Sequence, residues 1–156
     1  MTERGWQAFP ADCDSLPEIM GYIMARGEAA KLSDEDMTRL KLGSEEAVVN
    51  IASYAYPEGD GSLWVRAERD AEMFTLNLVD WGIPFDPFAR DTAPADDISI
   101  EEAEPGGLGI FFVRQSFDEV SYRREMFQAQ MANHLILSLR PKKPEAAKLS
   151  EAGDGA

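Results

Sequence analysis

The sequence predicts an α+β fold: a two-layer α/β sandwich whose helices cover one face of a mixed, mainly antiparallel sheet. Two observations carry this reading. Segments of alternating apolar residues come in neighbouring pairs, one after Ser62 and one after Glu119. Segments of helical period stand before the first pair and between the two pairs, each with an apolar stripe to bury.

Taken in order, Trp6 to Pro10 is short and suits an edge strand. Ser15-x-x-Glu18 ahead of Leu16, Ile19, Met20 and Ile23 reads as a capped amphipathic helix with Pro17 in its first turn, ending near Gly27 to Ala30. Ser33 with Asp34, Glu35 and Asp36 then opens a long helix to about Tyr54 or Ala55, its acidic first turn matching the positive end of the helix dipole. Met37, Leu40, Ser44, Ala47, Val48, Ile51 and Ala55 form its stripe, with Gly43, Glu46 and Asn50 on the flank.

Pro57 to Gly61 is a turn, and Ser62 to Glu68 and Met73 to Val79 form a hairpin through Arg69 to Glu72. Phe74, Leu76, Leu78 and Asp80 share parity, so a carboxylate continues an apolar sheet face, where an unpaired charge is costly. Ile83 to Pro105 has no clear period and reads as one long loop, of the kind that is usually a lid, a binding loop or disordered. A helix opens at Gly106 to Ile110 and runs to about Phe117. Strands follow over Glu119 to Arg124 and His134 to Leu139, with a loop around Phe127 to Ala132. Residues 1–140 form the folded domain, and 141–156, rich in Lys, Pro, Ala and Gly, form a disordered tail.

Composition narrows the function. With 156 residues and 44% apolar content, one domain is expected. No apolar run nears the roughly 20 residues that span a bilayer, and the first residues lack a signal-peptide pattern, so a cytoplasmic protein is expected. A formal charge of −14 argues against direct nucleic-acid or anionic-membrane binding and favours a partner with a basic surface. The single cysteine, Cys13, excludes an internal disulfide and reads as a packing residue; with His134 the only histidine, a Cys/His zinc site cannot be assembled.

Three segments carry candidate chemistry. Glu46 and Asn50 stand one helical turn apart; Asn offers a neutral oxygen to a hard cation such as magnesium, and the carboxylate could accept a proton from an attacking hydroxyl. A solvated helix flank would show the same pair. Asp80 at a strand end could accept a hydrogen bond from an exocyclic amine such as that of adenine, with Gly82 letting the base approach the backbone, although Asp and Gly also mark ordinary strand-end turns. Gly106, Gly107 and Gly109 lead into a helix whose exposed N–H groups suit phosphate, or serve as a hinge after the loop. No Gly-Lys-Ser/Thr follows and no strand directly precedes, which excludes a Walker loop and a dinucleotide fingerprint.

In this order and at these spacings, Glu46-Ala-Val-Val-Asn50 with Ala55-Tyr56, Val79-Asp-x-Gly-x-Pro84-Phe-Asp-Pro87, and Gly106-Gly-Leu-Gly-Ile-Phe-Phe-Val113 with Asp118-Glu-Val-Ser-Tyr122 resemble the nucleotide site of the GHKL, or histidine-kinase-like, ATPase superfamily. Within it they are similar to the bacterial anti-sigma-factor serine/threonine kinases. The resemblance spans roughly residues 5 to 140. It implies a Bergerat ATP-binding fold with ATP and magnesium as cofactors, Asn50 as magnesium ligand, Glu46 as general base and Asp80 as adenine reader. Gly82 and Pro84 join the base side of the site, and Gly106, Gly107, Leu108 and Gly109 the phosphate side. It further implies a regulator, often a homodimer, that binds a sigma factor and phosphorylates a Ser or Thr on a small antagonist protein. The alternative is a nucleotide-gated protein-binding regulator without kinase activity. Two features depart from the family pattern: Tyr54 stands where a His is frequent, and the lid carries Asp91, Asp96, Asp97, Glu101, Glu102 and Glu104 against Arg90 alone.

Overall fold

The computed structural model describes residues 5–88 and 107–142. The chain runs β1 (Gln7–Pro10), a 3-10 turn (Cys13–Ser15), α1 (Leu16–Ala29), α2 (Asp34–Tyr54), β2 (Ser62–Arg69), β3 (Phe74–Asp80), α3 (Gly107–Ser116), β4 (Glu119–Phe127) and β5 (Gln130–Leu139). The five strands form one sheet in the order β1-β2-β3-β5-β4, and every pairing is antiparallel. Residues 89–105 of the expected lid and Gly106 lie outside the described residues, as does most of the expected tail.

Register turns sequence parity into a face. Val65, Leu78 and Leu135 stand in line across three strands, as do Ala67, Leu76 and Leu137, and all are buried. Ile19 and Ile23 of α1 and Leu40, Ala47, Val48 and Ile51 of α2 cover this face, joined by Val113 of α3. Each large side chain buried in this way contributes about 1.5–3 kcal/mol. A helix cap gives about 1 kcal/mol, so contact between the layers, not the helix ends, holds the sandwich. The stripe and flank expected on α2 separate as drawn: the stripe meets the sheet, and Gly43 on the flank lies against α3, where a Cβ would come within 2.5 Å of the Phe117 ring.

Three expectations are corrected. Ser15 does not cap α1, because it is already helical (φ −88°, ψ −4°) while a capping residue is extended; Asp12 accepts from the Ser15 N–H at 2.8 Å and caps the preceding 3-10 turn. Cys13, in that turn, is exposed and is not a packing residue. The loop expected over Phe127 to Ala132 shrinks to Gln128 and Ala129, whose φ of 56° and 64° are those of a tight hairpin turn made without Gly or Asn. By contrast Ser33 caps α2, accepting from Asp36 N–H at 3.1 Å.

Arg39 ties the layers near the start of β4. It donates to the Ser116 carbonyl at the end of α3, to buried Asp36 and to Asp118, each at 3.1 Å. The helix-free face of the sheet carries an aromatic cluster. Trp64 meets Trp81 edge-on at 5.5 Å, and Phe127 lies 5.7 Å from Trp64 and 5.1 Å from Trp6. No helix among the described residues is long and apolar enough to cross a membrane.

Candidate functional site

Between α2, the end of β3 and the neighbouring stretches of β4 and β5 lies a small cavity. Asn50 reaches it from α2 and Asp80 from β3, with Tyr54, Ile83 and Phe85 at its edge. Tyr54, Ile83 and Phe85 are among the exposed large apolar side chains, so the cavity opens through an apolar rim.

Asp80 is only 3% exposed. The antiparallel register sets it directly opposite Asn133, whose Nδ2 donates to Asp80 Oδ1 at 2.9 Å; the Gly82 N–H donates to the same oxygen at 2.8 Å. Among the described residues nothing donates to Oδ2. Burial pushes the Asp80 carboxyl above its ordinary range, opposed by the Asn133 and Gly82 hydrogen bonds and by the charge of Arg124. Tyr56, behind the strand end, donates to the Ser62 carbonyl at 2.7 Å and accepts from the Trp81 N–H at 2.8 Å. Its hydroxyl is also raised, first by burial, with the nearby Asp80 charge adding to it.

The helix spacing of Glu46 and Asn50 is realised on α2, with Asn50 buried and Glu46 half-buried. Gly107, Leu108 and Gly109 lie in the first turn of α3, and that turn comes against Glu46: a Cβ on Gly109 would stand 2.9 Å from Glu46 Oε1. The structure therefore gathers Glu46, Asn50, Asp80 and Gly109 around the α2 edge of the sandwich.

Two nominated residues sit differently. Gly82 lies on an outer groove, and a Cβ there would come 2.1 Å from the Ala55 carbonyl oxygen, so the glycine is required by the end of α2. Pro84 is exposed, while its neighbours Ile83, Phe85 and Pro87 line the cavity. Asn133 and Arg124 were not singled out from sequence, and Tyr122 only as the end of the Asp118-Glu-Val-Ser-Tyr122 run, with no role of its own. Asn133 shares parity with Leu135, Leu137 and Leu139, the same polar interruption of an apolar face that marked Asp80.

The donor set suits magnesium and a nucleotide. Asn50 offers a hard oxygen ligand, Glu46 one turn away a carboxylate that can take a proton, Asp80 a carboxylate oxygen for an amine, and Gly109 a helical position without a Cβ.

Residues 9–138 match the family model of the histidine kinase-like ATPase domain. The chain is 29% identical over 100 residues to the serine/threonine-protein kinase BtrW of Bordetella bronchiseptica, a match covering 64% of this chain and 67% of that protein. It is 27% identical over 94 residues to the serine-protein kinase RsbW of Halalkalibacterium halodurans, covering 58% of this chain and 57% of that one. The second match thus spans little more than half of its relative's length. Among solved structures, the mycobacterial sensor histidine kinase MprB superposes with a TM-score of 0.47 at 20% identity, over 87% of this chain and 100% of that one.

Proposed function

The chain belongs to the histidine kinase-like ATPase domain family, and on that premise we propose that it binds ATP with magnesium and acts as a protein serine/threonine kinase. Its substrate in this reading is a Ser or Thr on a small antagonist protein, and its second partner a sigma factor that it holds inactive in the cytoplasm. The names of its two kinase relatives support the transfer reading.

The observation that carries the proposal is the convergence of three chain segments on one edge: Asp80 at the floor of the cavity, Asn50 on its α2 wall, and Glu46 against Gly109. In this reading the free oxygen of Asp80 accepts from the exocyclic amine of adenine. The first turn of α3 faces the phosphates with its N–H groups, and Asn50 holds the metal. Bound magnesium would neutralise charge developing on the transferred phosphoryl group. Glu46, one turn from Asn50, takes the proton of the attacking hydroxyl.

Tyr54 favours a second reading. It lines the cavity at the position where the resembled kinases often carry His, so nucleotide could gate partner binding without transfer. Incubation with labelled ATP, magnesium and candidate antagonist proteins separates the two. Label on the antagonist supports the kinase; nucleotide-dependent co-purification with no label supports the gated regulator. No change in thermal midpoint or heat of binding at millimolar nucleotide would reject both.

A further inference from the structure

Asn133 has no free hydrogen-bonding capacity. Its Nδ2 donates to Asp80 Oδ1 and to the Ile83 carbonyl, both at 2.9 Å, and its Oδ1 accepts from the Tyr122 hydroxyl at 2.5 Å and from Arg124 Nη1 at 3.0 Å. An amide offers two donors and one acceptor oxygen with two lone pairs, so all four positions are used. Arg124 can only donate, which forces the amide oxygen toward β4 and the NH₂ toward Asp80. Arg124 Nη1 also donates to the Gly82 carbonyl at 3.3 Å, tying the same guanidinium to the loop that follows Asp80.

The network is buried where it matters. Asn133 is 5% exposed, and a half-satisfied polar group there would be costly. A plain core needs no such device: the neighbouring apolar rows of β3 and β5 pack without it. The network also acts on a single oxygen. With Oδ1 of Asp80 taken by Asn133 and Gly82, one carboxylate oxygen remains to meet a donor from the cavity.

Building on the nucleotide reading above, we propose that Asn133 is the positioning residue for Asp80. Arg124 and Tyr122 lock its amide in the one orientation that leaves a single Asp80 oxygen for an amino-bearing purine. The base is then selected by a network that runs from Asp80 on β3 through Asn133 on β5 to β4. A purine with a carbonyl in place of the amine sets acceptor against acceptor and is rejected, because an unpaired buried polar group discriminates strongly.

Arg124 gives the proposal a pH signature. The charged and titratable groups around Asp80 among the described residues are Arg124 and Tyr122 on β4, Tyr54 on α2 and Tyr56 beyond it; no second carboxylate lines the cavity. Binding of the amine needs the ionised carboxylate. Whatever removes the Asn133 donor or the Arg124 charge makes protonation of Asp80 easier, and affinity then fades at a higher pH.

The test is calorimetry of the intact chain with magnesium-ATP and magnesium-GTP from mildly acid to mildly alkaline pH, for the parent, Asn133→Asp, Arg124→Met and Arg124→Lys. Asn133→Asp keeps the shape and turns the donors facing Asp80 into acceptors. We expect ATP affinity to fall about ten- to a hundredfold near neutrality and the acid limit of binding to rise by about one pH unit. Arg124→Met moves the limit the same way by less, and Arg124→Lys restores most of it, so a failure of Asn133→Asp to fold leaves the Arg124 pair to decide. Variants that melt earlier but keep the parental acid limit and ATP-to-GTP ratio would make Asn133 a strand residue only, and the inference would be wrong while the nucleotide reading stands. A parent chain with no nucleotide affinity at any pH overturns both.

Discussion

The first turn of α3 rests on the carboxylate of Glu46, with 2.9 Å between Glu46 Oε1 and the place a Cβ would take on Gly109. The atom met is the far end of a flexible side chain, so Gly109→Ala displaces Glu46 rather than backbone. The added methyl also favours the helix by about 0.5–1 kcal/mol. We expect the thermal midpoint of Gly109→Ala to hold or rise while phosphoryl transfer falls, measured by melting and by label transfer on one preparation. A large drop in the midpoint would show that the contact is not as soft as drawn.

Glu46 and Asn50 should fail in different ways. Glu46→Ala keeps nucleotide binding and loses about 10²–10⁴ in transfer rate, the usual weight of a general base. Asn50→Ala weakens magnesium-dependent binding as well, since a metal ligand is lost. Titration of nucleotide with and without magnesium, beside a transfer assay, reads both. Equal, normal binding in both variants and no transfer in the parent would leave the gated regulator.

Asp80 costs the empty protein stability. Its carboxyl is raised by burial, outweighing the hydrogen bonds from Asn133 and Gly82 and the Arg124 charge, so the folded state takes up its proton at a higher pH than the unfolded chain. The penalty is present at pH above the folded-state value. It is relieved as pH falls toward the ordinary carboxylate range, where both states are protonated. Asp80→Asn keeps an oxygen for Gly82 and Asn133 and removes the charge. Without nucleotide it should therefore melt at or above the parent at neutral pH, the difference closing as pH falls. With magnesium-ATP it should gain less than the parent. Lower stability without ligand at every pH would contradict this account.

Gly82 behaves unlike Gly109. A Cβ there would lie 2.1 Å from the Ala55 carbonyl oxygen and 2.6 Å from its carbon, both backbone atoms that cannot swing aside. Gly82→Ala should cost about 1–3 kcal/mol as an overpacked contact. Denaturant unfolding should show a lower midpoint with an unchanged slope, and ATP affinity should fall through displacement of Ile83, whose N–H donates to the same Ala55 carbonyl at 2.9 Å.

The elements were legible because period and parity are local. The stripe on α2, the β2–β3 hairpin and the start of α3 follow from residues a few positions apart. Asp80 stood out because it interrupts Phe74, Leu76 and Leu78 on one face. Asn133 interrupts Leu135, Leu137 and Leu139 in the same way but was hidden, because Gln128 and Ala129 turn the β4–β5 hairpin without Gly or Asn and the start of β5 was read at His134. The pairing of Asp80 with Asn133 joins positions 53 residues apart, and no local signal sets such a register. Asp12 took the capping role from Ser15 for a related reason, since a 3-10 turn ahead of α1 shifts the first free N–H groups by one turn.

All three tryptophans lie on the helix-free side of the sheet, and none lines the cavity between the layers. Trp64 and Trp81, edge-on at 5.5 Å with 77° between their planes, are close enough for their electronic transitions to couple. Light absorbed and emitted by this protein therefore describes the strand layer, and a base entering the cavity has no indole to stack on or quench. Trp81 follows Asp80 in the chain, and its ring N–H donates to the Phe127 carbonyl at 3.0 Å, so the native fluorophores report on the strand end from the far side of the sheet.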